Sequence, residues 1–192
     1  MRFSSGVLLA LVACTKPVVS PDGIVFGTPH ALVHFVAPKL GGVDLEGRPV
    51  ASDAFAGHVA VVRFWATWSP RARESVESLA RLYDRYDAEG VSFVAVSVDA
   101  DAPPADEVAR VVGARFTLAW DASRDLAQRW SVAHVPSTFV IDRVGIVRAV
   151  FTDDDSVRDE PAIERDVEIL LGRPVPSDGK PREPSEGPHA TR

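Results

Sequence analysis

The chain has 192 residues, of which 46% are hydrophobic and 25% are charged, which is enough for one soluble domain with extensions. Its net charge of −6, without a basic patch, gives no reason to expect nucleic acid as a partner. The only cysteine is Cys14, so an internal disulfide is excluded.

The first residues have the pattern of a bacterial lipoprotein signal. Met1-Arg2 is a minimal positive region, and residues 6–13 form an apolar run that is too short to span a bilayer. The run ends in Leu11-Val12-Ala13-Cys14, which resembles the lipobox, whose cysteine becomes the acylated N-terminus. We therefore predict a signal peptide over residues 1–13 and lipidation of Cys14. The protein would be exported and lipid-anchored in the bacterial cell envelope, facing the periplasm or the outer surface. The alternative is an ordinary secretory signal in which the cysteine is incidental.

The next segment, residues 14–36, contains three prolines and little periodicity, which predicts an extended tether. His30 and His34 could share one face of a strand, but two histidines without a third ligand are a weak metal signal. We predict that both are surface histidines, and we expect no metal site and no cofactor.

The folded domain is predicted to begin with a β-hairpin over residues 37–50, where glycines mark the turns. Val59-Ala60-Val61-Val62 is a β-branched apolar run that is typical of a buried parallel strand. Ser69 and Pro70 then predict a helix start, with the Ser69 hydroxyl at the N-cap and the proline at the first helical position. A strand that leads directly into a helix places the residues between them at the carboxyl edge of a sheet, where α/β folds hold their sites.

The rest of the chain alternates predicted helices and strands, which favours parallel βαβ units followed by a hairpin. In chain order these are a helix over 70–89, a strand over 91–98, a helix over 103–113, an extended piece over 116–120, a helix over 123–131, a hairpin around the turn at 143–145 and a helix over 157–171. Residues 173–192 are rich in proline, charged and small residues, so we predict a disordered tail.

Two segments resemble the TlpA/ResA type of membrane-anchored thioredoxin-like proteins. Residues 64–73, Phe-Trp-Ala-Thr-Trp-Ser-Pro-Arg-Ala-Arg, resemble the family's Phe-Trp-Ala-x-Trp-Cys-Pro-Pro-Cys-Arg. Residues 132–142 resemble its Val-x-x-x-Pro-Thr-Thr-Phe-Leu-Ile-Asp, in which a proline after a cis peptide bond, here Pro136, faces the redox motif. The resemblance covers a domain over residues 37–172. It implies an α/β, thioredoxin-like fold with a central mixed β-sheet flanked by helices and an N-terminal β-hairpin extension.

The same resemblance places Ser69 and Ala72 at the two cysteine positions, so no catalytic residue is expected. A serine hydroxyl stays protonated at neutral pH and does not attack disulfides, whereas exchange needs a thiolate. Arg71 replaces the second proline of the motif, and Arg63 stands where thioredoxins carry a buried, proton-relaying aspartate. If Arg63 is buried, we expect it to need a carboxylate partner.

Three functions follow from these residues. The leading hypothesis is a redox-inactive lipoprotein that binds an envelope protein or peptide by strand addition. Its groove would be formed by Trp68, Ser69, Pro70, Arg71, Val135 and Pro136. The alternative is the thiol-disulfide oxidoreductase role of the TlpA/ResA family, which reduces disulfides outside the cytoplasm, often in cytochrome c maturation. A scaffold without a groove ligand is the third. Ser69 as a nucleophile with His134 as base is disfavoured, because no Gly-x-Ser-x-Gly elbow or placed acid is present.

Overall fold

The computed structural model describes residues 30–44, 47–51, 55–101, 115–152 and 156–173. Several predictions fall outside these residues: the signal peptide, Cys14, the tether up to residue 29, the helix over 103–113 and the tail beyond residue 173. No helix of the described part is long and apolar enough to span a membrane.

The described elements follow the predicted alternation of strands and helices. In chain order they are β1 (Val43–Asp44), β2 (Ala60–Trp65), α1 (Ala72–Tyr86), a 3₁₀ turn (Asp87–Glu89), β3 (Ser92–Ser97), β4 (Thr117–Trp120), α2 (Asp125–Arg129), β5 (Ser137–Ile141), β6 (Val147–Phe151) and α3 (Ser156–Leu170).

The strands form one mixed sheet in the order β1-β4-β3-β2-β5-β6. The central strands β2, β3 and β4 are parallel, whereas β1, β5 and β6 pair antiparallel with their neighbours. β2 is buried along its whole length, as expected for a central parallel strand with both faces covered. The predicted thioredoxin-like α/β fold with a mixed central sheet is confirmed.

Two apolar layers cover the sheet. On one face, α1 and α3 contribute Leu79, Leu82 and Ile163, all of them fully buried. On the other, the ring of Trp130, just after α2, packs against Phe64 and Phe139 with centroid distances of 5.6 and 5.0 Å. Alternate residues of β2 enter these two layers because successive side chains of a strand point to opposite faces.

The register of the sheet determines which loops share an edge. β5 runs against β2, so Ser137 lies beside Phe64 and Ile141 lies beside Ala60. The start of β5 therefore meets the carboxyl ends of β2 and β3 at one edge, which we call the site edge. The turn between β5 and β6 lies at the opposite edge.

The predicted hairpin is present where the structure describes it. Val43 bridges Pro49, and the Val50 N–H donates to the carbonyl of Gly42 at 3.1 Å. Gly42 and Gly47 have φ of 87° and 78°, a conformation that glycine adopts without the Cβ penalty of other residues.

The predicted tether extends too far into the chain, because residues 30–36 are folded. Leu32 and Val33 pack against the core, and the His34 N–H donates to the carbonyl of Val147 at 2.9 Å. His30 and His34 do not share a strand face: His34 has a positive φ of 71°, and the His30 ring packs edge-on against Phe139. The folded unit therefore includes residue 30 and does not begin at residue 37.

Candidate functional site

The segment after β2 turns before it becomes helical. The Ser69 N–H donates to the carbonyl of Ala66 at 3.1 Å, and the Ala72 N–H donates to the carbonyl of Ser69 at 3.0 Å. α1 begins only at Ala72, with Arg71 at the N-cap position and no side-chain capping hydrogen bond. The predicted N-cap role of Ser69, with Pro70 at the first helical position, is therefore wrong.

The Ser69 hydroxyl instead joins the two segments singled out in the sequence. It donates to the carbonyl of Val135 at 3.3 Å, and the serine is only 6% exposed. The Val135–Pro136 peptide bond is cis, as the resemblance implies. Among the described residues, no group accepts a hydrogen bond from the Val135 N–H. The site edge thus brings the strand-to-helix turn and the proline loop together.

A groove of about 430 Å³ opens beside this junction. Trp68 lines it and is 61% exposed, and Val135 lines the same wall half-buried. Of the other predicted groove residues, Ser69 and Pro136 are buried, whereas Pro70 and Arg71 are exposed but not part of the lining.

The sequence did not identify most of the groove lining. Further lining residues come from separate parts of the chain and include Val98, Arg124, Ala127, His134 and Thr152. Arg124 has a left-handed backbone, with φ of 61°, just before α2. The sequence pattern does not reveal a non-glycine residue in that conformation. The signal from which part of the groove could be found was the proline loop, which is partly apolar.

Two buried aspartates fix the loops around the groove. Asp99 accepts hydrogen bonds from the Thr67 N–H at 3.1 Å and from the Thr67 hydroxyl at 2.9 Å. Asp121 accepts from the N–H groups of Leu126 and Ala127, at 3.1 and 2.8 Å, and so caps α2. Both carboxylates act as anchors for backbone donors.

Arg63 lies under the junction and is only 1% exposed. Its Nε donates to the Thr138 hydroxyl at 2.8 Å and its Nη1 donates to the Ser75 carbonyl, while Nη2 has no partner among the described residues. The expectation of a carboxylate partner is wrong, because a hydroxyl and a carbonyl hold the guanidinium. Burial lowers the pKa of Arg63 to about 10, well below the usual value for arginine, and the charges of Glu160 and Asp159 counter this only in part.

These groups limit what the site can do chemically. A guanidinium offers donors only, so Arg63 cannot accept a proton where a carboxylate could. The Ser69 hydroxyl donates to a carbonyl oxygen and to no base among the described residues, so it lacks the activation that a serine nucleophile needs. Ala72, at the second motif position, is half-buried and carries no reactive atom. The features that the site offers a ligand are therefore the groove, its exposed indole and its backbone polar groups.

Comparisons with known proteins place the whole domain in one family. The redoxin family model matches residues 32–167. The chain is 28% identical over 116 residues to the thiol-disulfide oxidoreductase ResA of Geobacillus thermodenitrificans, covering 60% of this chain and 67% of that protein. It is 26% identical over 166 residues to ResA of Geobacillus kaustophilus, covering 86% and 93%.

A solved structure agrees with these sequence matches. A Chlorobium tepidum protein assigned as the thiol:disulfide interchange protein DsbE superposes with a TM-score of 0.64 at 29% identity, over 71% of this chain and 96% of that one. The family match extends over well more than half of the chain and contains both segments that meet at Ser69 and Val135. The chain therefore belongs to the redoxin family, as a thioredoxin-like protein of the TlpA/ResA type.

Proposed function

We propose that this protein is a lipid-anchored protein of the bacterial cell envelope that binds an extended segment of another envelope protein or a peptide, without thiol chemistry of its own. One observation carries the proposal: the groove beside the cis-proline is kept, while a buried serine that is hydrogen-bonded to Val135 stands at the first cysteine position.

The polar groups of the proline loop are suited to strand addition. The Val135 N–H is a donor for which the described residues supply no acceptor. The Val135 carbonyl accepts from Ser69, but a carbonyl oxygen has a second lone pair for a ligand N–H. An extended chain that pairs with both groups would gain main-chain hydrogen bonds, as in other strand-addition complexes.

The groove walls add apolar contact and positive charge. Trp68 presents most of its indole to solvent, and aromatic anchors of this kind commonly carry a large share of interface energy. Arg124 and His134 line the same groove. The ligand we propose therefore has an extended backbone and an apolar side chain that packs on the indole.

The names of the relatives favour a second candidate, thiol-disulfide exchange as in the ResA proteins. Exchange transfers a sulfur–sulfur bond through a mixed disulfide, which needs an attacking thiolate and a resolving thiol. Neither Ser69 nor Ala72 supplies a thiol, and Cys14 is the only cysteine of the chain. Under this candidate the cysteines would belong to a partner. Insulin reduction by a Cys14→Ala chain tests the redox-inactive function, because reductase activity of that chain without a partner would contradict it.

The binding proposal is tested with peptides selected from a displayed library on the immobilised protein. Trp68→Ala should raise the Kd of the selected peptides about fivefold or more, since removing a central aromatic anchor typically costs more than about 1 kcal/mol. Phe35→Ala is the matched control, because Phe35 is equally exposed, at 63%, but lies at the opposite edge of the sheet. Equal affinity of all three proteins would rule out a groove-based role.

A further inference from the structure

We propose that Phe35, Val36 and Val144 form a membrane-contact surface, here called the apolar patch, which holds the domain on a lipid bilayer with its groove turned away. The inference rests on the proposed envelope anchoring only for the presence of a membrane next to the protein.

The patch contains three of the large hydrophobic side chains that the described part of the chain leaves in water. Phe35 is 63% exposed, Val36 is 70% exposed and Val144 is 77% exposed. Soluble proteins seldom leave several large apolar side chains together in water unless the surface binds something. The fourth exposed side chain of this kind, Trp68, belongs to the groove.

Backbone hydrogen bonds place the three side chains on adjacent segments. Val36 bridges Ile146 in antiparallel fashion, and the Ala37 N–H donates to the Gly145 carbonyl at 2.8 Å. The Val147 N–H donates back to the Phe35 carbonyl at 2.9 Å. Residues 35–36 therefore run alongside the turn that carries Val144, about one strand spacing of roughly 5 Å away.

The course of the chain favours a membrane as the occupant. The segment that leads from Cys14 enters the domain at residue 30, five residues before Phe35. The intervening residues 15–29 reach at most about 50 Å when fully extended, so the anchor point and the patch can lie on one surface. The patch is thus on the part of the domain closest in sequence to the predicted lipid anchor.

The charges beside the patch suit anionic lipid headgroups. Lys39 and Arg143 are both exposed, and they lie two residues beyond Ala37 and two residues before Gly145. Nη1 of Arg143 donates to the Leu170 carbonyl at 2.8 Å, which leaves the other donors of its guanidinium for a headgroup. Cations next to a bilayer with acidic lipids each contribute to attraction, and apolar side chains among them insert at the headgroup boundary. The neighbouring Asp142 does not oppose this, because it is buried and paired with Arg148 at 2.6 Å.

The sheet register determines where the groove would point. Val144 lies in the turn that follows β5, and this turn is beside the start of β2. Trp68 and Val135 lie at the other edge of the sheet, beyond the carboxyl end of β2. Six strand residues separate the two edges by about 20 Å. A domain resting on its apolar patch would hold the groove open to the aqueous side, where an envelope protein or peptide is accessible.

Three side chains are too few to bind a membrane by themselves, but they are enough to orient an anchored domain. A short flexible linker holds its attached module at an effective concentration on the order of millimolar. Under that condition a weak contact is occupied for much of the time. The apolar patch is therefore an orienting device and does not replace the acyl anchor.

Hydroxyl-radical footprinting tests the proposal with probes that the chain already contains. A chain that begins at Cys14, and so keeps every described residue, is coupled through that thiol to a maleimide lipid in phosphatidylglycerol vesicles. This attachment makes the result independent of acylation in cells and of any groove ligand. Oxidation of Phe35 should fall about threefold relative to the free chain, since interfacial side chains are buried in the headgroup region. Oxidation of Trp68 should stay unchanged.

Variants then separate the apolar and electrostatic contributions. Val144→Ser should restore much of the Phe35 oxidation without changing the thermal unfolding of an exposed turn. Lys39→Glu should also restore Phe35 oxidation on phosphatidylglycerol vesicles, whereas Arg129→Glu, which changes an exposed cation at the end of α2, should not. Equal Phe35 oxidation on and off the vesicle would overturn the proposal, and so would protection of Phe35 and Trp68 together. Phe35 that is already protected in the free chain would also overturn it, because residues 15–29 and not a bilayer would then cover the patch.

Discussion

Arg63 shows how one residue changes the chemistry beneath a retained groove. Its guanidinium is buried, donates to a hydroxyl and a carbonyl, and leaves Nη2 without a partner in the described part of the chain. A buried charge without a direct ion-pair partner costs desolvation energy, which its hydrogen bonds and the charges of Glu160 and Asp159 offset only in part. The lowered pKa, about 10, expresses that cost, which corresponds to roughly 3 kcal/mol.

We expect Arg63→Met to be no more stable than the parent near neutral pH, and less stable by at most about 3 kcal/mol. Methionine fills a similar volume and removes the desolvation cost of about 3 kcal/mol, while two hydrogen bonds worth about 1.5 to 3 kcal/mol each to a charged donor are lost. The gain offsets at least half of the loss, so the free energies of unfolding in urea should differ by about 0 to 3 kcal/mol. Arg148→Met is the contrast, because it leaves the buried Asp142 carboxylate without its cation.

The pH dependence gives a second check on Arg63. Because its pKa is lower in the folded protein than in the unfolded chain, the unfolded state binds more protons above about pH 10. The free energy of unfolding of the parent should therefore rise relative to that of Arg63→Met as the pH increases above that value. A constant difference between the two proteins would mean that Arg63 is not desolvated as its burial implies.

The turn between β2 and α1 marks the boundary of what local sequence can predict. Val59 to Val62 and the apolar spacing after Pro70 were sufficient to predict a strand, a turn and a helix. They were not sufficient to place the helix start, because the Ser69 hydroxyl bonds to Val135, which lies 66 residues further along the chain. The hydroxyl that local rules assign to the N-cap therefore donates to an acceptor that is distant in sequence.

This turn should still accept a disulfide. The Ala72 N–H to Ser69 carbonyl bond closes a four-residue turn, in which the outer Cα atoms lie within about 7 Å, close to the range of disulfides. Ser69→Cys with Ala72→Cys, in a Cys14→Ala chain, should therefore titrate with no free thiol after air oxidation and with two after reduction. Because position 69 is buried, its thiol should react with iodoacetamide more slowly than an exposed cysteine.

Each single-cysteine variant serves as the control, since neither can close an intramolecular bond. Two free thiols in a folded, air-oxidised double variant would show that the turn no longer has the geometry for a disulfide. Insulin reduction by the double variant should remain slow, because Arg63 cannot relay a proton to or from the pair.

At the scale of the whole molecule, the sequence predicted the sheet and the family better than the limits and surfaces of the domain. The apolar periodicity of strands and helices recurs along the core segments, so β2, β3 and α1 could be predicted from the sequence. Nearby prolines concealed the fold of residues 30–36, in which Leu32, Val33 and the His30 ring contact the core. The groove combines residues that are far apart in sequence, such as Trp68, Arg124 and Thr152. A local sequence pattern does not predict that such distant residues lie together.

The placement of the whole molecule in the envelope depends on Cys14, which stays a prediction. The cysteine follows Leu11-Val12-Ala13, so cleavage after Ala13 and acylation of the new N-terminus are expected. Two or three acyl chains would hold the protein on a membrane, whereas one chain or the apolar patch alone would give only reversible binding. Cells that express the full chain are labelled with a clickable palmitate analogue. The parent should carry label and Cys14→Ala should carry none, with equal amounts of protein in both. Equal labelling of the two proteins, or no label in either, would refute the anchor, and the domain would then reach a membrane only through the weak contact at Phe35, Val36 and Val144.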